Sequence, residues 1–181
     1  FQHAIKGIRR GIERETLRIK PDGQLAQTDH AKALGSALTH PLITTDFSES
    51  LLEFITPAQT DIEVTLKQLT DIHKFALSHI GEERLWAGSM PCYISHQDEI
   101  RLAQYGSSNV GTMKTVYRQG LKNRYGSMMQ AISGVHFNFS IPEAFWQPYQ
   151  QLLGDTGSLQ DFISAQYLHL IRNYKRYVWL V

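Results

Sequence analysis

Two glutamates separated by one residue, Glu13 and Glu15 in Gly11-Ile12-Glu13-Arg14-Glu15-Thr16, carry the first chemical signal in this 181-residue chain. In an extended segment the side-chain period of two puts both carboxylates on one face, close enough to share a hard cation. The ordinary alternative is that each pairs with Arg10, Arg14 or Arg18 on a solvated edge. A second acidic set, Asp46 and Glu53, lies within Thr44-Thr45-Asp46-Phe47-Ser48-Glu49-Ser50-Leu51-Leu52-Glu53-Phe54, among apolar side chains. Carboxylates are seldom buried unless paired or bound to metal. Glu53, between Leu52 and Phe54, is the sharper candidate, whereas Glu49 has more polar neighbours and is expected in solvent. No cysteine or histidine cluster has zinc spacing, so oxygen-ligated magnesium fits better than zinc.

His136 and Asn138 alternate with Val135, Phe137, Phe139 and Ile141, which puts both on the polar face of a strand. A neutral imidazole there could ligate a metal or bond a phosphate, although a lone histidine is more often an ordinary hydrogen-bonded residue. Lys114, Arg118 and Lys122 recur at i, i+4 and i+8, a stripe that repels itself unless an anion lies nearby or the face is solvated. Tyr117 beside Arg118 adds an aromatic ring to a guanidinium fork suited to a carboxylate or phosphate.

Several elements must position these groups. Residues 7–19 read as a strand closed by the turn Pro21-Asp22-Gly23, and residues 44–56 as a second strand, with a helical turn as the alternative over 48–53. Ile62, Leu66, Leu69, Ile72, Phe75 or Ala76, and Ile80 recur at helical spacing, with Thr60 and Glu63 as a capping box and Gly81 as the stop. That helix should cover one face of a sheet. Residues 82–108 read as irregular, either active-site loop or plain connector, with a short helical turn near 98–105. A helix over 111–124, the strand at 135–141 and two helices, 142–153 and 158–181, complete the expectation of one α+β unit.

The 42% hydrophobic and 19% charged composition suits one globular domain. A formal net charge of +1 offers no overall attraction to nucleic acid or an anionic membrane. The single cysteine, Cys92, and the absence of a long apolar run predict a soluble protein of the cytoplasm. The chain opens on Phe1 and stops at Val181 within the apolar stretch 174–181, which reads as a fragment of something longer.

The segments GIERETLRI, SALTHPLITTDFSESLLEFITP, SMPCYI, LAQYGSSN, YRQGLKNRYG and SGVHFNFSIP, in this order, resemble the N-terminal part of proteobacterial glutamate-cysteine ligases. The resemblance implies a glutamine-synthetase-like fold, a curved and mostly antiparallel sheet with helices on its outer face, incomplete over residues 1–181. It implies Mg²⁺, with Mn²⁺ as an alternative, and ATP, L-glutamate and L-cysteine as ligands. By matching position, Glu13, Glu15, Glu53 and His136 correspond to metal-binding residues. Asp46, Phe47, Tyr117, Arg118 and Gln130 correspond to substrate-binding ones, and Asn138 is expected to contact the nucleotide. The implied reaction joins the glutamate γ-carboxyl to the cysteine amine through a γ-glutamyl phosphate, the first step of glutathione synthesis. The fragment alone is expected to be inactive and prone to self-association through an exposed strand edge. Competing readings are another γ-glutamyl-amine ligase, a metal-dependent phosphohydrolase using the same acids, a single-stranded nucleic-acid module using the basic stripe, and a purely structural domain.

Overall fold

The stretch from Arg9 to Ile19 is dense in β-branched and charged residues, and in the computed structural model, which describes residues 5–180, it is the long strand β1 (Arg9–Ile19). The expected second strand is instead a hairpin, β2 (Ile43–Thr45) and β3 (Leu51–Ile55). Its turn closes through the Asp46 amide to Leu51 O at 3.0 Å and the Leu51 amide to Ser48 O at 3.1 Å. Polar Asp46, Ser48 and Ser50 bond their own backbone neighbourhood more readily than they extend a strand, which is why one run of sequence becomes two strands.

β3 pairs antiparallel with β1 in a register that sets Glu15 opposite Glu53, Glu13 opposite Ile55 and Leu17 opposite Leu51. The sheet runs β2-β3-β1-β4, where β4 (Arg84–Leu85) is a two-residue strand within the stretch read as irregular, and β5 (Val135–Ser140) also pairs with β1. β1 pairs antiparallel with both β3 and β4, and β2 pairs antiparallel with β3.

The helix expected to cover the sheet is α1 (Ile62–Leu77). Its N-cap is Asp61, which accepts the Val64 amide, and not Thr60, whose carbonyl takes a hydrogen bond from Arg10. The short carboxylate one residue later reaches the orphan amides of the first turn. Ile72, Ala76 and Ile80 pack on Ile43, Leu52 and Phe54, so one sheet face is closed by α1. On the other face Leu17, Ile19 and Leu51 join Phe47, Ile94 and Ile100 in a second apolar cluster. The glutamates of β1 and β3 share that face, beyond its apolar end.

The basic stripe lies on α2 (Asn109–Tyr125), opened by Ser108, whose hydroxyl accepts the Gly111 amide. A glycine is needed at 111, since a Cβ there would lie 2.4 Å from Tyr105 O. The chain divides into two compact units, one of residues 10–138 and one of 1–9 with 139–181. The second contains α3 (Glu143–Leu152) and α4 (Leu159–Tyr177), with Ser158 capping α4 through the Asp161 amide as expected. The predicted continuation of α4 gives way to a 3-10 turn at Val178–Leu180, and Val181 lies outside the described residues. The apolar and polar alternation of β5 is present, yet both rows are exposed, Phe137 at 63%.

Candidate metal centre

Antiparallel pairing brings two like charges face to face, Glu15 against Glu53, an arrangement that costs stability unless something cationic joins them. Among the described residues no arginine forms an ion pair with either, although Arg14 and Glu15 interact electrostatically. Arg10 bonds Thr60 O at 2.7 Å, Arg14 bonds Ala87 O at 3.0 Å, and Arg18 pairs with Glu83 at 2.6 Å. The ordinary alternative, in which Glu13 and Glu15 pair with arginines along β1, therefore gives way to a different arrangement. Period two that places the glutamates together sends Arg14 and Arg18 to the opposite face.

β5 supplies the remaining partners. His136 Nδ1 stands 3.2 Å from Glu13 Oε2, and Asn138 Nδ2 donates to Glu13 Oε1 at 2.9 Å. Glu13, Glu53 and His136 each offer one ligand atom, and these atoms lie within 4.8 Å of one another. Glu15, 8% exposed, stands beside them with Oε2 accepting the Gly134 amide at 2.6 Å, while its own amide donates to Gly134 O at 3.0 Å. Gly134 is therefore a site residue that sequence reasoning passed over. A Cβ there would lie 3.0 Å from His136 Nε2 and 3.3 Å from Glu15 Oε2. Its signal in the sequence was only a glycine opening a strand.

The electrostatics fit a cation. Burial, followed by the charges of Asp46, Glu15 and Glu13, pushes the Glu53 carboxyl up to about 7. Burial also raises Glu15, with the Gly134 amide opposing and Asp46 and Glu13 adding to the rise. Carboxylates so crowded can accept a hard divalent ion, which takes oxygen ligands readily and tolerates one imidazole. Glu13, Glu53 and His136 would hold it directly, and Glu15 lies alongside.

Asp46 directly follows β2, and its charge is felt at Glu53. Its neighbour Phe47, expected at a substrate, is a core side chain, 1% exposed. Glu49, expected in solvent, is 4% exposed and accepts the His30 and Gln104 amides, both at 2.8 Å. Two backbone donors stabilise the buried charge that composition alone placed outside. Arg118 donates through Nε to Asp46 O at 2.5 Å and through Nη1 to Lys114 O at 3.0 Å, so one edge of the expected carboxylate fork is engaged by backbone. Lys114 and Arg118 lie over the Tyr105 ring, 5.0 and 4.7 Å from its centroid, and Lys122 reaches Asp98 at 3.6 Å. The stripe is thus anchored on protein groups. Tyr117 is exposed on α2, and Gln130 is half-buried in the 3-10 turn Met129–Ala131.

The glutamate-cysteine ligase family profile matches residues 1–181. The chain belongs to the glutamate-cysteine ligase family. It is 62% identical over 180 residues to the glutamate-cysteine ligase of Pseudoalteromonas translucida and 59% identical over 177 residues to that of Alcanivorax borkumensis, covering 99% and 98% of this chain. In both cases it spans 34% of the relative, about a third of its length. The crystal structure of the Francisella tularensis glutamate-cysteine ligase in complex with AMP matches 96% of this chain and 34% of that one, with a TM-score of 0.88 and 40% identity. A bifunctional glutathione synthetase from Pasteurella multocida matches 98% of this chain and 23% of that one, with a TM-score of 0.89 and 32% identity. The mixed α+β architecture with an antiparallel sheet is that of the ligase family's N-terminal part. Among the described residues no helix is long and apolar enough to cross a membrane.

Proposed function

We propose that this chain forms part of the catalytic region of an ATP- and Mg²⁺-dependent enzyme that joins the γ-carboxyl of L-glutamate to the amine of L-cysteine, in the cytoplasm, as the first step of glutathione synthesis. The observation that carries the reading is the match of the ligase family to the whole chain, with an acidic cluster of unmatched charge inside the matched region.

The reaction needs an activated carboxylate. A glutamate side-chain oxygen attacks the γ-phosphorus of ATP, ADP leaves with the bond pair, and the cysteine amine then displaces phosphate from the acyl carbon while losing one proton. Both reactants of the first step are anionic, so the cost of approach is electrostatic and positional. Bound Mg²⁺ or Mn²⁺ would supply neutralisation of the phosphate oxygens and alignment of the attack. Glu13, Glu53 and His136 would hold the ion, with Asn138 fixing the Glu13 carboxylate. Glu15 is oriented by the Gly134 amide, and Asp46 adds its charge to the same face. These carboxylates act as ligands and not as bases. Asn138, by the family likeness, faces the nucleotide, while Tyr117, Arg118, Phe47 and Gln130 belong to the substrate side. One catalytic domain that continues over the longer length of the relatives is the corresponding reading of the chain's organisation.

The full-length protein tests this. ADP release that requires glutamate, with γ-glutamylcysteine appearing only when cysteine is added, is the expected result. Turnover of ATP indifferent to glutamate would overturn the ligase reading in favour of a phosphohydrolase.

A further inference from the structure

Residues 101–105 run along the β2–β3 turn and bind it at successive points. The Glu49 amide donates to Arg101 O at 2.9 Å, the Ala103 amide to Phe47 O at 3.1 Å, and the Gln104 amide to Glu49 Oε2 at 2.8 Å. Tyr105 completes the series: its buried hydroxyl donates to Thr45 O at 2.7 Å, with Asp46 O at 3.1 Å. Asp46 O receives a further donor from α2, Arg118 Nε at 2.5 Å. Arg118 and Lys114 in turn rest over the Tyr105 ring, so the phenol and the guanidinium brace each other.

The register determines where Asp46 points. Thr44 stands opposite Glu53, and the Asp46 amide bonds Leu51 O, which puts Asp46 opposite Leu51 and on the same sheet face as Glu53 and Glu15. A backbone carbonyl with donors from two elements cannot rotate its peptide plane without losing them, and the direction of the Asp46 Cα–Cβ bond is thereby held. From this geometry we infer that Tyr105, braced by Arg118, is a positioning residue that aims the Asp46 carboxylate at the Glu13, Glu53 and His136 cluster. The inference rests on the metal site of the ligase reading and adds to it two residues that act through Asp46, without touching a reactant through the hydroxyl or through Nε.

The test is a double-mutant cycle on the full-length protein, read by Mn²⁺ affinity from electron paramagnetic resonance and needing no turnover. Y105F should weaken Mn²⁺ binding about fivefold, the worth of one buried hydrogen bond, and should change it less than about twofold when introduced beside D46N. R118K, which keeps a cation above the ring but loses the Nε–H donor, should move Mn²⁺ affinity in the same direction and serves if Y105F melts too low to titrate. An equal loss in both backgrounds would mean a general structural effect, and no loss in either would mean no clamp; both overturn the inference. Failure of the unmodified protein to bind Mn²⁺ would remove the site and the clamp together. A protein that binds Mn²⁺ but forms no γ-glutamylcysteine sinks the ligation reading, while the cycle still decides the clamp.

Discussion

Strand β1 carries two charge centres a few residues apart, and they are built in opposite ways. Arg18 is 1% exposed, yet its guanidinium meets Glu83, the Thr28 hydroxyl, Thr28 O and Glu49 O. Glu15, Glu53, Glu13 and Asp46 gather on the other face with one histidine, one asparagine and one backbone amide, and among the described residues none of these four carboxylates forms an ion pair with an arginine or lysine. The first centre finds its counter-charge within the chain, although Arg18 Nε is buried without a hydrogen bond, and it stabilises the fold only as long as both partners remain. The second leaves negative charge for something outside the chain to match. Burial by itself therefore does not mark a functional charge; the absence of a counter-charge does.

Removing one partner at the closed centre should have the largest effect on the fold. Glu83→Ala leaves Arg18 buried without its carboxylate, and we expect a loss of about 3 kcal/mol or more, measured by urea denaturation. Mn²⁺ affinity of the refolded fraction should stay unchanged. Similar stability with and without Glu83 would erase the contrast between the two centres.

At the open centre the same kind of change should act on chemistry. Glu53→Gln in the full-length protein should lower γ-glutamylcysteine formation about a hundredfold, equivalent to roughly 2.7 kcal/mol, because a metal ligand is lost. The melting temperature in EDTA should hold or rise, since one of two opposed carboxylates becomes neutral. A melting temperature that falls in parallel with activity would make Glu53 a structural residue instead.

Gly134→Ala is a finer probe. The added methyl would crowd His136 Nε2 and Glu15 Oε2, at 3.0 and 3.3 Å, so the imidazole must shift by a few tenths of an ångström. We expect Mn²⁺ affinity to fall about fivefold, near 1 kcal/mol, with the far-UV circular dichroism unaltered. Unchanged affinity would show that His136 is not held to its place by this contact.

The smallest effect is on pH. The Glu53 carboxyl titrates near 7 in the folded chain against an ordinary 4.5, so the folded state holds the proton more tightly. Its contribution therefore favours the fold below about pH 4.5 and is lost as pH rises towards 7, about 1 kcal/mol once partial solvent screening is allowed for. Metal-free protein should consequently lose stability from pH 5 to pH 8, and Mg²⁺ should raise the melting temperature more at pH 8 than at pH 5. Equal Mg²⁺ stabilisation at both values would separate the ion from Glu53.

Much of this was legible from local pattern. Period two placed Glu13 with Glu15 and His136 with Asn138, period 3.6 found α1 and α2, and Ser158 marked the start of α4, because these signals depend on neighbours in the chain. The family, too, was carried by local motifs in order. What tertiary structure decided were the contacts between distant segments. A hairpin replaced one strand at 43–55, and its register put Glu15 opposite Glu53. Residues 101–105 buried Glu49 and took hold of Asp46, and Gly134 came against Glu15 across 119 positions of sequence. Hydropathy describes a residue's own neighbourhood, whereas a buried carboxylate is stabilised by amides that only the folded chain brings to it.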